Sequence, residues 1–303
     1  MAALARGTTC GRARQPIASI AELTLVGAMS LHATGLAQVP HAIETTIAGA
    51  AGTTQLMGSI GTARYVAEER LPGGTLFNRD EGDLPQWALG IAHARQDWTW
   101  SLSLRQAAGT LDYRGRNQLG LPLRTTTDLR RNEWAIVGEH HWNWNDAGIA
   151  LSLGAGAQGV HTWRHIRATA ISGELTETLR SQRWLLTTGV SVSTALGTLP
   201  LRLGASAQLD RPWSQTLAVD THGVFDPFVL RPTSRWGSVL RLEAALALGH
   251  GVDVGCYVGM QTDRPGPSGS AVVHRGGAPA GTASYPGSVQ KSRLIGASLS
   301  GSF

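Results

Sequence analysis

Apolar and polar side chains alternate every second residue over most of the chain after residue 61. A period of two is typical of a β-strand with one apolar face, and helical three–four spacing is scarce in this region. We identify nine such segments and a tenth, weaker one at residues 61–70. The nine are residues 87–95, 98–104, 133–142, 149–158, 184–196, 201–210, 238–248, 252–261 and the C-terminal stretch.

The connections between these predicted strands alternate in length. Tight turns at residues 96–97, 143–148, 197–200 and 249–251 alternate with longer polar stretches at 71–85, 112–127, 164–175, 213–235 and 264–289. A transmembrane β-barrel has short turns on the periplasmic side and long loops outside, whereas a soluble sandwich has no reason to sort its loops by length. The pattern therefore predicts an all-β protein, a closed antiparallel transmembrane β-barrel of about ten strands, with eight to twelve compatible.

The tryptophans fall near the ends of the predicted strands rather than at their centres. Indole rings collect at the two membrane–water interfaces and form aromatic girdles around membrane barrels. We therefore predict a girdle made of Trp87, Trp98, Trp100, Trp134, Trp142, Trp144, Trp163, Trp184, Trp213 and Trp236.

The chain finishes with SRLIGASLSGSF, in which Ile295, Leu299 and Phe303 share one face of a strand. This alternation and the terminal phenylalanine resemble the C-terminal signal of Gram-negative outer-membrane β-barrel proteins, which the barrel-assembly machinery reads. Gly301 departs from that pattern, because many members carry a bulkier residue there. The resemblance implies a location in the cell outer membrane, with lipid, lipopolysaccharide and the assembly machinery as partners.

Residues 1–37 have the pattern of an export signal peptide. Arg6, Arg12 and Arg14 precede a short apolar core at residues 23–31, and small residues follow it. No later stretch approaches the roughly 18 apolar residues that a membrane-spanning helix requires. We predict a signal peptide at 1–37, an N-terminal segment at 38–60 that serves as tether, plug or extra strand, and the barrel at 61–303.

The composition excludes one class of partner. The net charge is +5, but no basic run or aromatic–basic stripe accompanies it, so nucleic acid is not an expected partner. Charged residues make up only 16% of the chain, and we predict neither a cofactor nor a metal. A group of arginines in and beside the second long stretch can pair with lipopolysaccharide phosphates. These are Arg114, Arg116, Arg124, Arg130 and Arg131.

Alternation directs most strand charges to the barrel interior, where they avoid the roughly 2–4 kcal/mol cost of facing lipid near the bilayer midplane. The predicted interior set is Arg105, Glu133, Glu139, His141, Arg202, Arg241, Glu243 and Asp253. We interpret it as a salt-bridged network that fills and stiffens the barrel. The alternative is a charged constriction that selects small solutes, and the many small inward residues leave room for a narrow wet passage.

Ten strands with five exterior loops are also similar to the layout of the omptin proteases, which use acidic pairs and an Asp-x-His element on the exterior rim. Asp80 and Asp83 lie in RDEGD, and Asp220 and His222 in DTH. The resemblance implies that a water held between a carboxylate pair and an Asp-oriented histidine attacks a peptide carbonyl. The surrounding omptin sequence is absent, and these four residues are the candidate catalytic group.

Two histidines at i,i+4 spacing raise the question of a metal site. His161 and His165 in HTWRH face the same side of a strand, but they lie about 13 Å apart by the rise per residue, which is too wide for one metal.

The sequence as a whole favours a non-enzymatic barrel with a structural or surface-interaction role through its long extracellular loops. A narrow porin-like channel and an omptin-like hydrolase at the rim are the alternatives.

Overall fold

The computed structural model describes residues 52–71, 73–116, 121–144 and 148–303, with Leu199 described by its backbone alone. The signal peptide predicted at residues 1–37 lies outside this range and stays a prediction. Within the described residues, no helix has the length and apolar character needed to cross a membrane.

Ten long strands form one closed antiparallel ring. The ring runs β6-β5-β4-β3-β2-β1-β13-β10-β9-β7, and pairing of β6 with β7 completes it. Three short strands lie at the exterior end: β8 pairs with β7, and β11 pairs with β12. The bounds are β1 Thr53–Arg70, β2 Leu76–Arg95, β3 Trp98–Arg116, β4 Pro122–Trp144, β5 Ile149–Ile166, β6 Leu175–Leu196, β7 Leu199–Asp220, β8 Phe228–Leu230, β9 Gly237–Gly249, β10 Val252–Asp263, β11 Ala271–Arg275, β12 Ala278–Ala283 and β13 Ser288–Ser302.

The two ends of the described chain meet in the wall. β1 pairs with β13 from Gln55 opposite Ser302 to Glu69 opposite Ser288. Thr54 and Phe303 exchange backbone hydrogen bonds of 3.1 and 2.9 Å. Because hydrocarbon offers no partner for a backbone group, only a closed sheet of this kind satisfies a strand inside a bilayer.

The strands are longer than the sequence pattern predicts. β2 begins at Leu76, and only residues 117–121 separate β3 from β4, so the predicted loops at 71–85 and 112–127 are largely strand. β1 begins at Thr53, so the predicted barrel boundary at residue 61 falls inside a strand and residues 53–60 extend the wall. Above the bilayer both faces of these strands are polar, which removes the alternation without removing the hydrogen-bond ladder.

The outer wall carries an apolar belt. Leu56 and Ile60 of β1 are 52% and 69% exposed, and the only cysteine among the described residues, Cys256, lies in the same belt. Above it the outward residues become charged: the Arg64 guanidinium lies 2.7 Å from Glu81 and 3.3 Å from Asp83. This change marks where the strands leave the membrane on the long-loop side. Other members of the belt include Leu89, Ile91, Leu102, Leu104, Ile136, Leu153, Leu186, Leu203, Leu240, Leu242, Val254, Val258, Met260, Ile295 and Leu299.

Two exterior loops, residues 221–236 and 264–287, dock against each other; we call them the docked loop pair. The Asp226 carboxylate accepts hydrogen bonds from the N–H groups of Gly276 (3.0 Å) and Gly277 (2.9 Å). Arg275 Nε donates to the Val224 carbonyl at 2.8 Å, and its guanidinium lies 5.1 Å from the Phe225 ring centroid. These contacts hold the β11–β12 hairpin on the loop that follows β7.

Candidate functional site in the barrel interior

A lattice of six charged side chains lies at the middle of the barrel; we call it the central lattice. Arg131 Nε donates to Glu133 at 2.5 Å, and another nitrogen of the same guanidinium donates to Asp263. Asp263 also accepts from Arg183, which lies 2.9 Å from Asp210. The sixth member, Arg105, has its Nε 3.3 Å from Glu133 Oε2.

The central lattice crosses the lumen. β4, which carries Arg131, and β10, which carries Asp263, lie five strand steps apart in either direction around the ring, so their ion pair spans the diameter. A second bridge runs from Arg105 on β3 to Gln261 on β10, with a donor–acceptor distance of 2.9 Å. The side chains of these residues therefore meet across the lumen at this level.

The lattice is electrically balanced. Its three arginines face three carboxylates, and each member is less than 10% exposed. Such a buried set is weak evidence of net stabilisation, but removal of one partner leaves an uncompensated charge and costs about 3–5 kcal/mol. Its arrangement therefore favours a cross-link that holds opposite walls together.

An apolar layer packs beside the lattice. Leu84 and Leu111 are each only 1% exposed although both point into the lumen. Its full membership is Ala63, Tyr65, Leu84, Ala107, Leu111, Leu129, Tyr257 and Leu294. A water-filled pore has a polar interior. Here large apolar side chains line the lumen instead.

Tyr257 shows how this filling is accommodated. Its ring lies under the Arg241 guanidinium, 3.8 Å from centroid to carbon, within cation–π range. Its hydroxyl rests against two glycines of the neighbouring strands β13 and β1, because a Cβ on Gly61 or Gly296 would lie 2.9 or 2.5 Å from that oxygen. Small inward residues, which the sequence presents as space for a passage, here accept a large side chain.

A second group of charges lies nearer the exterior end; we call it the exterior cluster. The Arg164 guanidinium lies 3.1 Å from Glu69, 2.5 Å from Asp80 and 2.6 Å from Glu177. Asn78 Nδ2 donates to Glu69 at 2.7 Å. Three carboxylates share one arginine, and burial raises the pKa of Glu69 to about 7, with Glu177 adding repulsion against the attraction of Arg164.

The structure places all eight predicted interior residues on the inner face. Their contacts include three within the lumen: Arg202 lies 2.7 Å from Asp253, Arg241 lies 3.3 Å from Glu243, and Thr187 donates to Glu139 at 2.8 Å. His141 is buried on the same face of β4. Arg105 and Glu133 belong to the central lattice.

Sequence reasoning missed most of the central lattice. The sequence predicts that Arg131 pairs with lipopolysaccharide, and this prediction is wrong, because the Arg131 side chain points inward and is buried with Glu133 and Asp263. The signal was present: Arg131 lies two residues before Glu133, and Asp263 two residues after the inward Gln261, so alternation alone places them in the lumen.

The candidate catalytic residues do not form the expected constellation. Asp80 points inward, where it pairs with Arg164 and accepts a hydrogen bond from Thr127 at 2.7 Å. Asp83 is exposed on the outer face and pairs with Arg64. Residues three apart on a strand point to opposite faces, so these two carboxylates cannot hold one water between them.

The Asp-x-His element is used for local structure. Asp220 Oδ1 accepts the backbone N–H of His222 at 2.8 Å, and the His222 ring lies 2.8 Å from the Thr176 hydroxyl. Thr176 and His222 lie on the outer wall, whereas Asp80 points into the lumen. The Asp-x-His element and Asp80 therefore lie on opposite sides of the sheet.

The tryptophans occupy the outer wall. Nine of the ten are exposed and Trp87 is half-buried. Trp98 and Trp100 stack at 6.4 Å near the short-turn end, whereas Trp184 and Trp213 meet at 4.4 Å nearer the exterior end. Ile295, Leu299 and Phe303 also face outward and are exposed, and their recognition by the assembly machinery stays a prediction.

No protein-family model matches the sequence, and no curated protein matches it either. Among solved structures, the outer-membrane protease OmpT from Escherichia coli is similar over 84% of this chain and 97% of its own, with 10% identity and a TM-score of 0.60. The fold is that of an outer-membrane β-barrel. The translocator domain of the autotransporter NalP from Neisseria meningitidis (10% identity, TM-score 0.41, 81% and 87% coverage) and the toluene transporter TodX from P. putida (9%, 0.28, 84% and 90%) also match.

The predictions of a closed ten-stranded antiparallel barrel and of an outer-membrane location are confirmed by this fold and its apolar belt. At 10% identity the likeness to OmpT concerns the fold alone.

Proposed function

We propose that this protein is a non-conducting outer-membrane barrel with a structural or surface-interaction role at its exterior end. One observation carries the proposal: the Arg131–Asp263–Arg183 contacts join opposite walls of the ring within the central lattice. The adjacent apolar layer supports it, since a hydrophobic constriction excludes water and hydrated solutes.

The docked loop pair supports the surface role. Loops that bind partners act from a rigid scaffold, and here the two longest exterior loops fix one another. Beyond the Asp226 contacts, Thr233 N–H donates to the Pro267 carbonyl at 3.0 Å and Gly266 N–H donates to Thr233 at 2.9 Å. The pair therefore presents the β11–β12 hairpin in a defined position outside the membrane.

Planar-bilayer recording tests the absence of conductance. The folded wild type is expected to insert without stable conductance steps, and the doubly truncated variant Arg131→Ser, Asp263→Ser is expected to show more frequent openings because the bridge is removed. A general porin in the same bilayer serves as the positive control. Reproducible steps from the wild type would show that a passage exists and would overturn the proposal.

Lipopolysaccharide is the proposed lipid partner of the outer wall. Arg130 lies opposite Trp163 across β4 and β5, and Arg180 lies opposite His161 across β5 and β6. Both arginines are exposed, and neither makes an ion pair with the residues that the structure describes. Both guanidinium groups suit a lipid phosphate, and Arg130 also lies beside an indole.

This partner can be tested with a matched variant. Added lipopolysaccharide is expected to raise the unfolding temperature of the wild type in micelles, and the pair Arg130→Gln, Arg180→Gln is expected to lose at least half of the increase. Arg95→Gln, an exposed arginine at the short-turn end of β2, is the control and keeps the increase. An equal response from all three proteins would contradict the assignment.

We also propose that the barrel lacks omptin-type proteolysis, because Asp80 is held by Arg164 and Asp83 faces away from it. The folded protein, with lipopolysaccharide added, is expected to leave a fluorogenic peptide mixture uncleaved. Cleavage that disappears in both Asp80→Asn and His222→Ala would refute this.

A further inference from the structure

A row of polar residues crosses four neighbouring strands on the outer wall at the exterior end. Asp128 on β4 lies opposite His165 on β5, His165 opposite Thr176 on β6, and Thr176 opposite Asp220 on β7. Because each pair is directly opposed in an antiparallel ladder, the four side chains point to the same side of the sheet. The wall itself therefore sets their spacing.

Two further residues join the row from the strand ends. Glu174 lies two residues before Thr176, and His222 two residues after Asp220. His222 has a φ of 49°, in the left-handed region that is uncommon for non-glycine residues, and the Asp220 carboxylate accepts its backbone N–H at 2.8 Å. A residue kept in such a conformation is worth a functional explanation.

The result is a compact set of metal-binding atoms. One ring nitrogen of His165, one of His222 and a carboxylate oxygen of Glu174 all lie within 4.8 Å of one another. The His222 Nδ1 to Glu174 Oε2 distance is 4.0 Å. His165 is half-buried, while Glu174 and His222 are exposed, so the set is open to solvent.

We propose that His165, Glu174 and His222 form a binding site for a divalent transition metal of the zinc class. Two imidazole nitrogens and one carboxylate oxygen are ligands that Zn²⁺ accepts, whereas Ca²⁺ and Mg²⁺ prefer oxygen alone. Three protein ligands leave one position of a tetrahedral ion for water. Such a site adds a metal-dependent feature to the exterior surface, independent of whether the barrel conducts.

The surroundings suit this assignment. The Thr176 hydroxyl lies 3.0 Å from His165 Nδ1 and 2.8 Å from His222 Nε2, so one side chain orients both rings. Hydrogen bonds to metal-ligating imidazoles commonly fix the tautomer and the ring angle. The His165 ring also stacks on Trp163 at 5.7 Å.

The local charge favours a cation. Glu174, Asp220 and Asp128 bring three carboxylates to the row, and Arg167 neutralises one of them through contacts of 2.9 and 3.0 Å to Asp128. Ligand atoms around a tetrahedral zinc at about 2.0–2.1 Å lie about 3.4 Å apart. The set therefore has to contract by up to about 1.4 Å, which rotation of the exposed Glu174 and His222 side chains can supply.

This site differs from the pair considered in the sequence. His161 and His165 lie on one strand and are too far apart, as the sequence predicts, and His161 is not part of the cluster. The second histidine, His222, comes from the loop after β7. It becomes a neighbour of His165 because β6 pairs with both β5 and β7.

Zinc titration of the tag-free full chain, folded in detergent and stripped with a chelator, tests the proposal. Calorimetry is expected to show one Zn²⁺ per chain, and His165→Ala or His222→Ala is expected to weaken binding at least tenfold. Glu174→Gln should weaken binding less, and because the Glu174 side chain is exposed, this variant is expected to fold like the wild type. His161→Ala, on the same strand and face, is the control and binds like the wild type.

A second readout is the visible spectrum of bound Co²⁺, which reports coordination number and should change in the His222→Ala protein. Heat-modified migration on a gel shows whether each variant is folded. Zinc binding that survives both histidine substitutions and Glu174→Gln, or that falls equally in His161→Ala, overturns the proposal. Absence of binding by the folded wild type overturns it as well.

Discussion

The middle of the barrel and its short-turn half are built from the same strands but are filled differently. In the middle, six charges and an apolar layer join opposite walls. In the short-turn half, small residues such as Ser59, Ser152 and Ser191 line the interior, and the pair Arg202–Asp253 is about 20% exposed. A cavity of about 30 Å³ lies beside that pair, room for about one water.

This difference indicates that the contacts that cross the lumen are concentrated in the middle of the barrel. The short-turn half depends on the hydrogen-bonded wall and on the surrounding lipid, whereas the middle also depends on side chains that meet across the lumen. Substitutions at the two levels should therefore differ in their cost to the free energy of unfolding, and so should substitutions on the two faces of the wall.

The largest effect is expected from Asp263→Asn. Asp263 accepts hydrogen bonds from both Arg131 and Arg183, so its loss leaves two buried guanidinium groups undercompensated. We expect the free energy of unfolding to fall by about 3–5 kcal/mol. Urea unfolding in detergent, followed through the fluorescence of the ten tryptophans, measures it.

The matched control is Asp253→Asn in the short-turn half. Its partner Arg202 is partly exposed and can be solvated, so the expected loss is about 1 kcal/mol or less. Equal losses from the two variants would show that the middle is not the level that holds the walls together.

The next largest effect concerns the outer wall. Leu242→Arg places a charge in the apolar belt, where Leu242 is 59% exposed, and should cost about 2–4 kcal/mol near the midplane. Leu248→Arg, on the same face of β9 but at its short-turn end, should cost about 0–1 kcal/mol. Refolding yield into lipid vesicles and urea unfolding give both values, and a soluble, well-folded Leu242→Arg protein in detergent-free buffer would contradict the membrane assignment.

Much of the fold can be predicted from the sequence because alternation reports directly on a wall with lipid on one side. Leu203, Leu240 and Val254 on the outer face and Arg105 on the inner face follow from parity alone. Parity fails where both faces are polar. Arg79, Glu81 and Asp83 alternate with inward residues in the exterior part of β2, yet the stretch reads as a loop.

The contacts across the lumen could not be predicted in the same way. Parity shows that Arg131 and Asp263 face inward, but it does not show which strands lie opposite each other. That depends on the strand number and the stagger of the closed sheet. The proposed metal cluster also depends on how the strands pair. His165 and His222 are separated in sequence and become neighbours only when β5, β6 and β7 pair.

A smaller, pH-dependent effect distinguishes the exterior cluster from the middle. Glu69 lies above the charged outward row, and its pKa is raised from 4.5 to about 7 because it is buried. The folded protein therefore holds this proton more tightly than the unfolded chain. Between about pH 4.5 and 7 the unfolded state binds fewer protons, so stability should fall as the pH rises, by up to about 1.4 kcal/mol per pH unit.

Glu69→Gln should remove this slope, which unfolding measured at several pH values can detect. Glu68→Gln is the control from the outer face, because a hydrogen bond from Arg70 lowers the pKa of Glu68 and gives the opposite, weaker dependence. A slope that persists in Glu69→Gln would place the titrating group elsewhere.

The smallest effect is expected from Arg64→Gln on the outer wall above the belt. Arg64 contacts two carboxylates, Glu81 and Asp83, much as Arg131 contacts Glu133 and Asp263, but its side chain is 49% exposed. Water solvates the charges that remain, so unfolding should change by about 0–1 kcal/mol and less at high salt. Since both arginines contact two carboxylates, the difference between Arg64→Gln and Arg131→Gln isolates what burial contributes. A loss above about 2 kcal/mol for Arg64→Gln would show that the outer charges also hold the strands together.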